Sequence, residues 1–438
     1  MRSMMLSRFI DIKYQCNNTG CSSSIIDPAS SLRDCQFACL ADAQCRTVTF
    51  DENSNHCELF SDIPSQYGNL LAQSGVITMT VIDDRQATDP ATTTTTISTT
   101  STTTSVTTTT TTSTTTSTTS TTSTTASLNP CASGNLLWNT TGITVLNSSQ
   151  LVSAVGLYVD SNNTLYVVDT NNHVVWKLLN NAVNATIVAG LYQSQGSNSS
   201  QLNWPYDVYA DRHGNIYVSD YYNHRIQKYS NGSRNGKTIA GINGYGSSLN
   251  QMNRPEFFVF DSTETFMYIV DHDNNRIMRF VTNSTSGVNG TIIAGGNAAD
   301  NTNTTFNSPL GIHYFPNTSS DLFITNSDGD SVIRWTPGVS SGVFVAGTPG
   351  VAGSSSSLLY SPAGIRIDAY LNMYVVDRGN NRIQMFCANS QIGITIAGGS
   401  GGNGPEQLNQ PSGIAFDAKM NMYIGDNNNA RVQKFVKL

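Results

Sequence analysis

The chain has 438 residues and is poor in charge, with only 12% Asp, Glu, Lys and Arg. It has no apolar run approaching the ~20 residues that a membrane-spanning helix needs. It has no P-loop, no His-Glu-x-x-His and no serine-histidine-aspartate order, so the common signatures of phosphate, zinc and serine chemistry are missing. It also lacks a basic field. Residues 1–90 carry 6 basic and 11 acidic groups, and residues 131–438 carry 17 and 19. Neither segment suits a phosphate backbone, which excludes nucleic acid as a partner. No cofactor is expected. Asn, Ser, Thr and Gly take the place of charge, a composition that suits a β-rich extracellular surface.

Cysteine is unevenly spread. Six of the eight fall between Cys16 and Cys57, a density typical of a small disulfide-stapled module in an oxidising compartment. Residues 92–125 are Thr and Ser except for Ile97 and Val106. Such a tract buries almost nothing and cannot offset its chain entropy by packing. In a secreted chain it reads as a mucin-like, O-glycosylated linker, with an unmodified flexible linker as the plain alternative. The opening MRSMMLSRFIDIKY has early arginines but a broken apolar run, and no signal peptide is evident. Extracellular localisation is therefore expected from the cysteines and the tract. Three segments follow: a disulfide module at 11–86, a linker at 87–130 and a repeat domain at 131–438.

The repeat has a period of about 50 residues. Strands end at Asp169, Asp220, Asp271, Asn326, Asp377 and Asp426, at intervals of 51, 51, 55, 51 and 49. That period signals a propeller or a solenoid. In the second copy, strands are expected at Val208–Asp211, Ile216–Asp220, Ile226–Tyr229 and Lys237–Ala240. Turns at His213-Gly214-Asn215 and Asn231-Gly232 separate them. This is the four-stranded meander of a propeller blade. The second strands, such as MYVV and MYIV, are apolar on both faces, as a blade packed on two sides requires.

The chain ends after three strands of a sixth copy. Gly142-Ile143-Thr144-Val145 matches Gly393-Ile394-Thr395-Ile396 and supplies the missing strand. The expectation is a monomeric six-bladed ring closed by its N-terminal strand, which removes two open edges. Cys387 follows a third strand and Cys131 precedes the closing fourth strand. Third strands end and fourth strands begin on one face, so these two cysteines are expected to form a disulfide.

Two resemblances add to this reading. In the first module Cys35 and Cys39 lie on one face of a short helix. Thr47–Phe50 and the run from Cys57 to Phe60 read as strands around a polar hairpin. The segment resembles a PAN/apple module. The resemblance implies Cys35–Cys57 and Cys39–Cys45 disulfides, and a role in binding proteins or glycans. Apple domains often join their first cysteine to one near the domain end. None follows Cys57 before Cys131, which leaves Cys16 and Cys21 to pair with each other as the alternative.

In the ring, WD dipeptides are absent. A loop motif recurs instead after the second strand. In blade 2 it consists of Asp220, Asn223, His224 and Arg225. In blade 3 it is Asp271, Asn274 and Arg276, in blade 5 Asp377, Asn380 and Arg382, and in blade 6 Asp426, Asn429 and Arg431. Ala-Gly ends the fourth strands. Residues 138–438 resemble NHL repeats. The Asp–Arg couple is expected to clamp its loop. The arginine recurs in these four of six copies; blade 4 departs in both residues, with Asn326 and Ser331.

Second-to-third and fourth-to-first loops share one face, here called the top, where a ligand is expected. Sequons at Asn139, Asn162, Asn184, Asn231, Asn283, Asn289 and Asn317 fall instead on bottom turns or outer strands. Those at Asn147, Asn198 and Asn303 fall in top loops. The weak candidates for a metal are His173, His224 and His272, because three imidazoles at a channel mouth suit zinc; the NHL resemblance implies instead that histidine at this point hydrogen-bonds its loop, and His272 is out of register with the other two. Peptidyl-amidating lyases use a similar propeller with zinc and calcium, so a metal-dependent enzyme is the alternative function. Asn326, Asp328 and Asp330 alternate like the start of a calcium loop but lack its glycine and distal glutamate. His313, in a first strand near the channel, is expected to be a core or channel-lining residue. The leading expectation is a non-enzymatic extracellular recognition protein that binds protein or glycan.

Overall fold

The computed structural model describes residues 129–438, apart from 132–133, 135, 243, 297 and 317–319, and the backbone of five strands before them. The chain divides into two units, Met1–Ser123 and Thr124–Leu438. In the first, β1 (Met5–Cys16), β2 (Ser23–Ile26), β3 (Thr47–Asp51), β4 (His56–Phe60) and β5 (Gly68–Ile82) form one sheet in the order β1-β5-β3-β4-β2. The two strands expected around the polar hairpin coincide with β3 and β4. The helix around Cys35 and Cys39, the pairing of the six N-terminal cysteines, and the Thr/Ser tract lie outside the described residues.

The second unit is a propeller of six four-stranded sheets. Five sheets run in chain order from inner to outer strand. The sixth consists of Pro411–Phe416, Met422–Asp426, Arg431–Phe435 and β6 (Ile143–Leu146). Thr144 donates its hydroxyl to buried Gln433 at 2.8 Å. Thr238 to Gln227 and Thr395 to Gln384 do the same in blades 2 and 5. The N-terminal strand thus restores both the backbone ladder and the cross-strand polar pair of a complete blade.

Cys131 and Cys387 form a disulfide with a Cα–Cα distance of 5.6 Å. It closes a loop of sequence separation 256, worth up to about 5 kcal/mol in a chain-entropy model. Beside it, Trp138 donates its indole N–H to Met420 O and packs edge-on against Tyr374.

The second strands are buried at every position in Leu165–Asp169, Ile216–Asp220 and Met373–Asp377. Each sheet is sandwiched between neighbours, so neither face alternates with solvent. The first strand of blade 2 begins at Pro205, three residues earlier than expected, and shifts register between Pro205 and Val208. Proline lacks the N–H of a ladder residue and is tolerated at a strand start. Around the axis the inner strands nearly touch. A Cβ on Gly311 or Gly413 would collide with Ala363 O or Val155 O of the next blade. Asp207 and Phe257 occupy the matching position in blades 2 and 3.

Candidate functional site

The repeated loop residues build a clamp. In blade 2, Asp220 Oδ2 accepts from Arg225 Nε at 2.7 Å and from Asn223 Nδ2 at 2.8 Å, while Oδ1 accepts Asn203 N–H. The other guanidinium nitrogens donate to Ser197 O, Asn198 O and Gln201 O. The fourth-to-first loop is thereby held from both sides. Three further blades repeat the arrangement. In blade 3, Asp271 Oδ2 accepts from Asn274 at 2.8 Å and from Arg276 at 2.6 Å. In blade 5, Asp377 Oδ2 accepts from Asn380 at 2.9 Å and from Arg382 at 2.7 Å. In blade 6, Asp426 Oδ2 accepts from Asn429 at 2.8 Å and from Arg431 at 2.6 Å. The amides of Asn274, Asn380 and Asn429 also donate to Gly246 O, Gly353 O and Gly402 O, as Asn223 does to Gly196 O. Each asparagine therefore ties the acid to the loop before its own blade.

Burial is the largest influence on Asp220, raising it to about 6, and Arg225 pulls it down. In blade 4 the acid and the arginine are lost together. Asn326 Oδ1 still accepts Asn307 N–H at 2.6 Å, so the neutral amide keeps the backbone bond without an unpaired buried charge. Blade 1 keeps Asp169 without arginine, and Val152 N–H, Ser153 N–H, Asn172 Nδ2 and Trp176 Nε1 satisfy it.

The histidines separate. His173 and His224 have φ of 59° and 54° and accept, through Nδ1, the backbone N–H of Trp204 and Arg254 in the next blade. Asn275, Asp330 and Asn381 do the same for Ser308, Ser361 and Gln410. These side chains combine tolerance of the left-handed region with an acceptor. Burial lowers the pKa of both histidines, as suits neutral acceptors. His272 stands elsewhere, with Nδ1 2.9 Å from Pro309 O. The structure therefore does not bring the three candidate zinc ligands together, because two are used as inter-blade staples. Among the described residues no three His, Cys, Asp or Glu side chains are grouped for a metal. Asn326, Asp328 and Asp330 also face separate partners: Asn307 N–H, Ser308 Oγ and Ser361 N–H.

The top mouth, the face where a ligand is expected, is built from two rings, of which the sequence singles out only His272. The residue after each second-strand acid or amide is Thr170, Tyr221, His272, Ser327, Arg378 or Asn427, and all six line the mouth. Tyr206, Glu256 and Ser412 join them from the second position of inner strands. The repeat held the signal, since a framework position would not vary through threonine, tyrosine, histidine, serine, arginine and asparagine. Two hollows, of about 300 and 710 Å³, share Trp204, Tyr206 and Arg378. Glu256 Oε2, Arg378 Nε, Ser412 Oγ and Asn427 Oδ1 are buried and have no hydrogen-bond partner among the described residues. Burial holds the Glu256 carboxyl well above its usual range, against the pull of Arg378. Trp204 and Tyr222 stay 42% and 40% exposed and meet edge-to-face beside Arg254.

A third hollow, of about 280 Å³, lies at the lower end of the channel. The fifth inner-strand position faces it in all six blades, as Tyr158, Tyr209, Val259, His313, Arg366 and Ala415. His313 is thus a channel residue. The sequon residues Asn139, Asn162, Asn184, Asn231, Asn283 and Asn289 are on bottom turns or beside outer strands. Asn317 lies outside the described residues.

The fold and its clamps define a six-bladed propeller of the NHL type, preceded in the chain by a PAN domain. The model of the PAN domain matches residues 17–80, and that of the NHL repeat matches residues 151–178 and 202–229. No curated protein matches the chain. Among solved structures, an auxiliary nutrient binding protein from Bacteroides thetaiotaomicron is 15% identical with a TM-score of 0.51, covering 69% of this chain and 74% of its own. A protein of unknown function from the same organism is 17% identical with a TM-score of 0.53, covering 68% and 73%. A gluconolactonase from Xanthomonas campestris is 10% identical with a TM-score of 0.49, covering 68% and 89%. At these identities the likeness is one of fold.

Proposed function

We propose that this is an extracellular recognition protein that binds a protein or glycan ligand at the top mouth of its propeller, alongside its PAN domain, without catalysis. One observation carries the reading. Four buried polar atoms at the mouth, on Glu256, Arg378, Ser412 and Asn427, have no partner among the described residues. A buried unpaired polar group costs roughly 1–3 kcal/mol, a cost that a ligand's hydrogen bonds would offset. Exposed Trp204 and Tyr222 flank these atoms. An apolar aromatic face beside mixed donors and acceptors suits a sugar ring, with its C–H face and hydroxyl edge. Glycan is therefore the favoured class. The Cys-rich PAN segment and the Thr/Ser tract support an extracellular setting. No helix among the described residues is long and apolar enough to cross a membrane.

The test uses the full chain secreted from eukaryotic cells, probed on glycan and protein arrays. Binding should survive a chelator and fall on Trp204→Ala or Glu256→Gln with the fold kept, as far-UV circular dichroism would read it. Binding indifferent to both substitutions would move the ligand off the mouth. One transition metal per chain, with turnover lost on chelation, would replace this reading with the metal-dependent enzyme.

A further inference from the structure

The lower channel is chemically unlike the mouth. Arg366 reaches into it from blade 5. Its Nη1 donates to Ile365 O at 2.8 Å, and its Nη2 makes only a long contact of 3.4 Å with Leu157 O. Among the described residues no carboxylate lies within 4 Å of the guanidinium. A guanidinium carries five donors in a planar fork that matches a carboxylate, so most of this fork is left for the cavity. His313 stands on the same ring, and its imidazole makes no hydrogen bond to any described residue. Burial, reinforced by Arg366, lowers His313 to about 3. The ring is therefore neutral and offers one N–H donor. Phe258, Val259, Ala415, Phe416 and Met420 supply apolar wall.

We propose that this cavity is a second binding site, for a small monocarboxylate with an apolar body whose carboxylate pairs with Arg366 and His313. The volume sets the size class. About 280 Å³ is at the lower end of ligand pockets, enough for a single ring or short chain and too small for an oligosaccharide. Asp207 is the acid set deep in the wall. It is 3% exposed, its Oδ2 accepts Phe258 N–H at 3.2 Å, and its Oδ1 has no partner among the described residues. Burial raises it to about 7, so much of it is neutral near physiological pH and repels an acid less than an ordinary aspartate would. Asp368, at the lower rim, is already occupied by Tyr370 N–H, Asn372 and Tyr374 OH.

The experiment is calorimetric titration of the full chain with phenylacetate, phenethylamine and phenylalanine, checked by ligand-observed NMR. Phenylacetate should bind in preference to the other two. Arg366→Met should weaken it by about tenfold or more, the usual scale for losing a charged hydrogen-bond partner. Asp207→Asn should tighten it, and Trp204→Ala at the mouth should leave it unchanged. Val259→Phe narrows the cavity from another inner strand and keeps the arginine, so it keeps the test alive if Arg366→Met fails to fold. It should abolish binding. Three results would each overturn the proposal: no phenylacetate binding by the folded wild type, binding indifferent to Arg366→Met and Val259→Phe, or preference for phenylalanine that Asp207→Asn destroys. The last would make the site a receptor for a zwitterion.

Discussion

Blade 2 contains two deeply buried carboxyls, Asp220 and Asp207, and each has a guanidinium in its surroundings. Asp220 touches Arg225 at 2.7 Å and also accepts from an amide side chain and a backbone N–H. Asp207 shares the lower channel with Arg366 but makes no ion pair with it within 4 Å, and its Oδ1 has no partner among the described residues. The first couple is saturated, and Arg276, Arg382 and Arg431 repeat it around the ring. The second is open and occurs once. Saturation and repetition mark framework, because both carboxylate oxygens are spent on holding loops. Openness and uniqueness mark a place where something outside the chain can bind. The carboxyls are chemically identical, so the difference lies wholly in their partners.

The largest expected effect breaks the saturated couple. Arg225→Ala would leave Asp220 buried beside unsatisfied loop carbonyls and should cost roughly 3–5 kcal/mol, the usual range for stranding one member of a buried pair. Asp220→Asn combined with Arg225→Ser should recover much of that loss. Blade 4 already has this combination in Asn326 and Ser331, and its amide still holds Asn307 N–H. Urea unfolding of the wild type, the single variant and the double variant checks it. A double variant no better than Arg225→Ala would mean that the arginine's grip on Ser197, Asn198 and Gln201 matters more than charge neutralisation.

An intermediate effect is expected at the open couple, and pH reveals it. Asp207 is raised by burial to about 7, above its unfolded value near 3.8. Folding therefore favours the protonated form. The stability this group contributes is complete below its unfolded pKa and is lost as pH rises through about 7. Asp207→Asn removes that loss. The variant should be more stable than the wild type at pH 8, by up to about 4 kcal/mol and less once the structure relaxes, and nearly equal to it at pH 4. Glu256 drives the wild type in the same direction. His173 and His224, whose pKa values are lowered, oppose it, since their contribution is lost on acidification. Melting temperatures of wild type and variant from pH 4 to 8 should converge toward acid. Parallel curves would contradict a titrating Asp207.

The same contrast explains what was legible in the sequence. The ring, its blade count and its closure by Ile143–Leu146 followed from the repeat, because a propeller must bury the same strand six times. The clamp was legible for the same reason. Asn274, Asn380 and Asn429 stand three residues after their acids, and the arginines stand five after them, wherever the loop must be held. The mouth was not legible, because its residues are the ones that do not repeat. Arg378 and Glu256 sit at positions held by Thr170 and Val155 in blade 1, and only the closed ring brings such positions together. The histidines follow the framework side of this rule. His173 and His224 do repeat, and repetition was the sign of a structural task, the one Asn275 and Asn381 perform without an imidazole. Tallying which positions vary around a ring separates the two kinds of residue before any coordinates exist.

The smallest expected effect concerns the one joint where the staple is missing. His224 occupies left-handed backbone and holds Arg254 N–H. Ala430 occupies the matching position in blade 6 at φ 47° and has no acceptor to offer. The N–H it would meet, on Ser153, already bonds to Asp169 Oδ1 in its own blade at 3.1 Å. Alanine is thus tolerated because no donor is left over, but it still bears the left-handed strain, which glycine relieves. Ala430→Gly should stabilise the propeller by up to about 1 kcal/mol. His224→Ala should destabilise it by roughly 1–2 kcal/mol, because it adds that strain and strands a backbone donor. Paired melting curves decide the matter. Equal and opposite shifts would mean that backbone strain alone governs this position. A larger loss at His224 than gain at Ala430 would measure the staple itself.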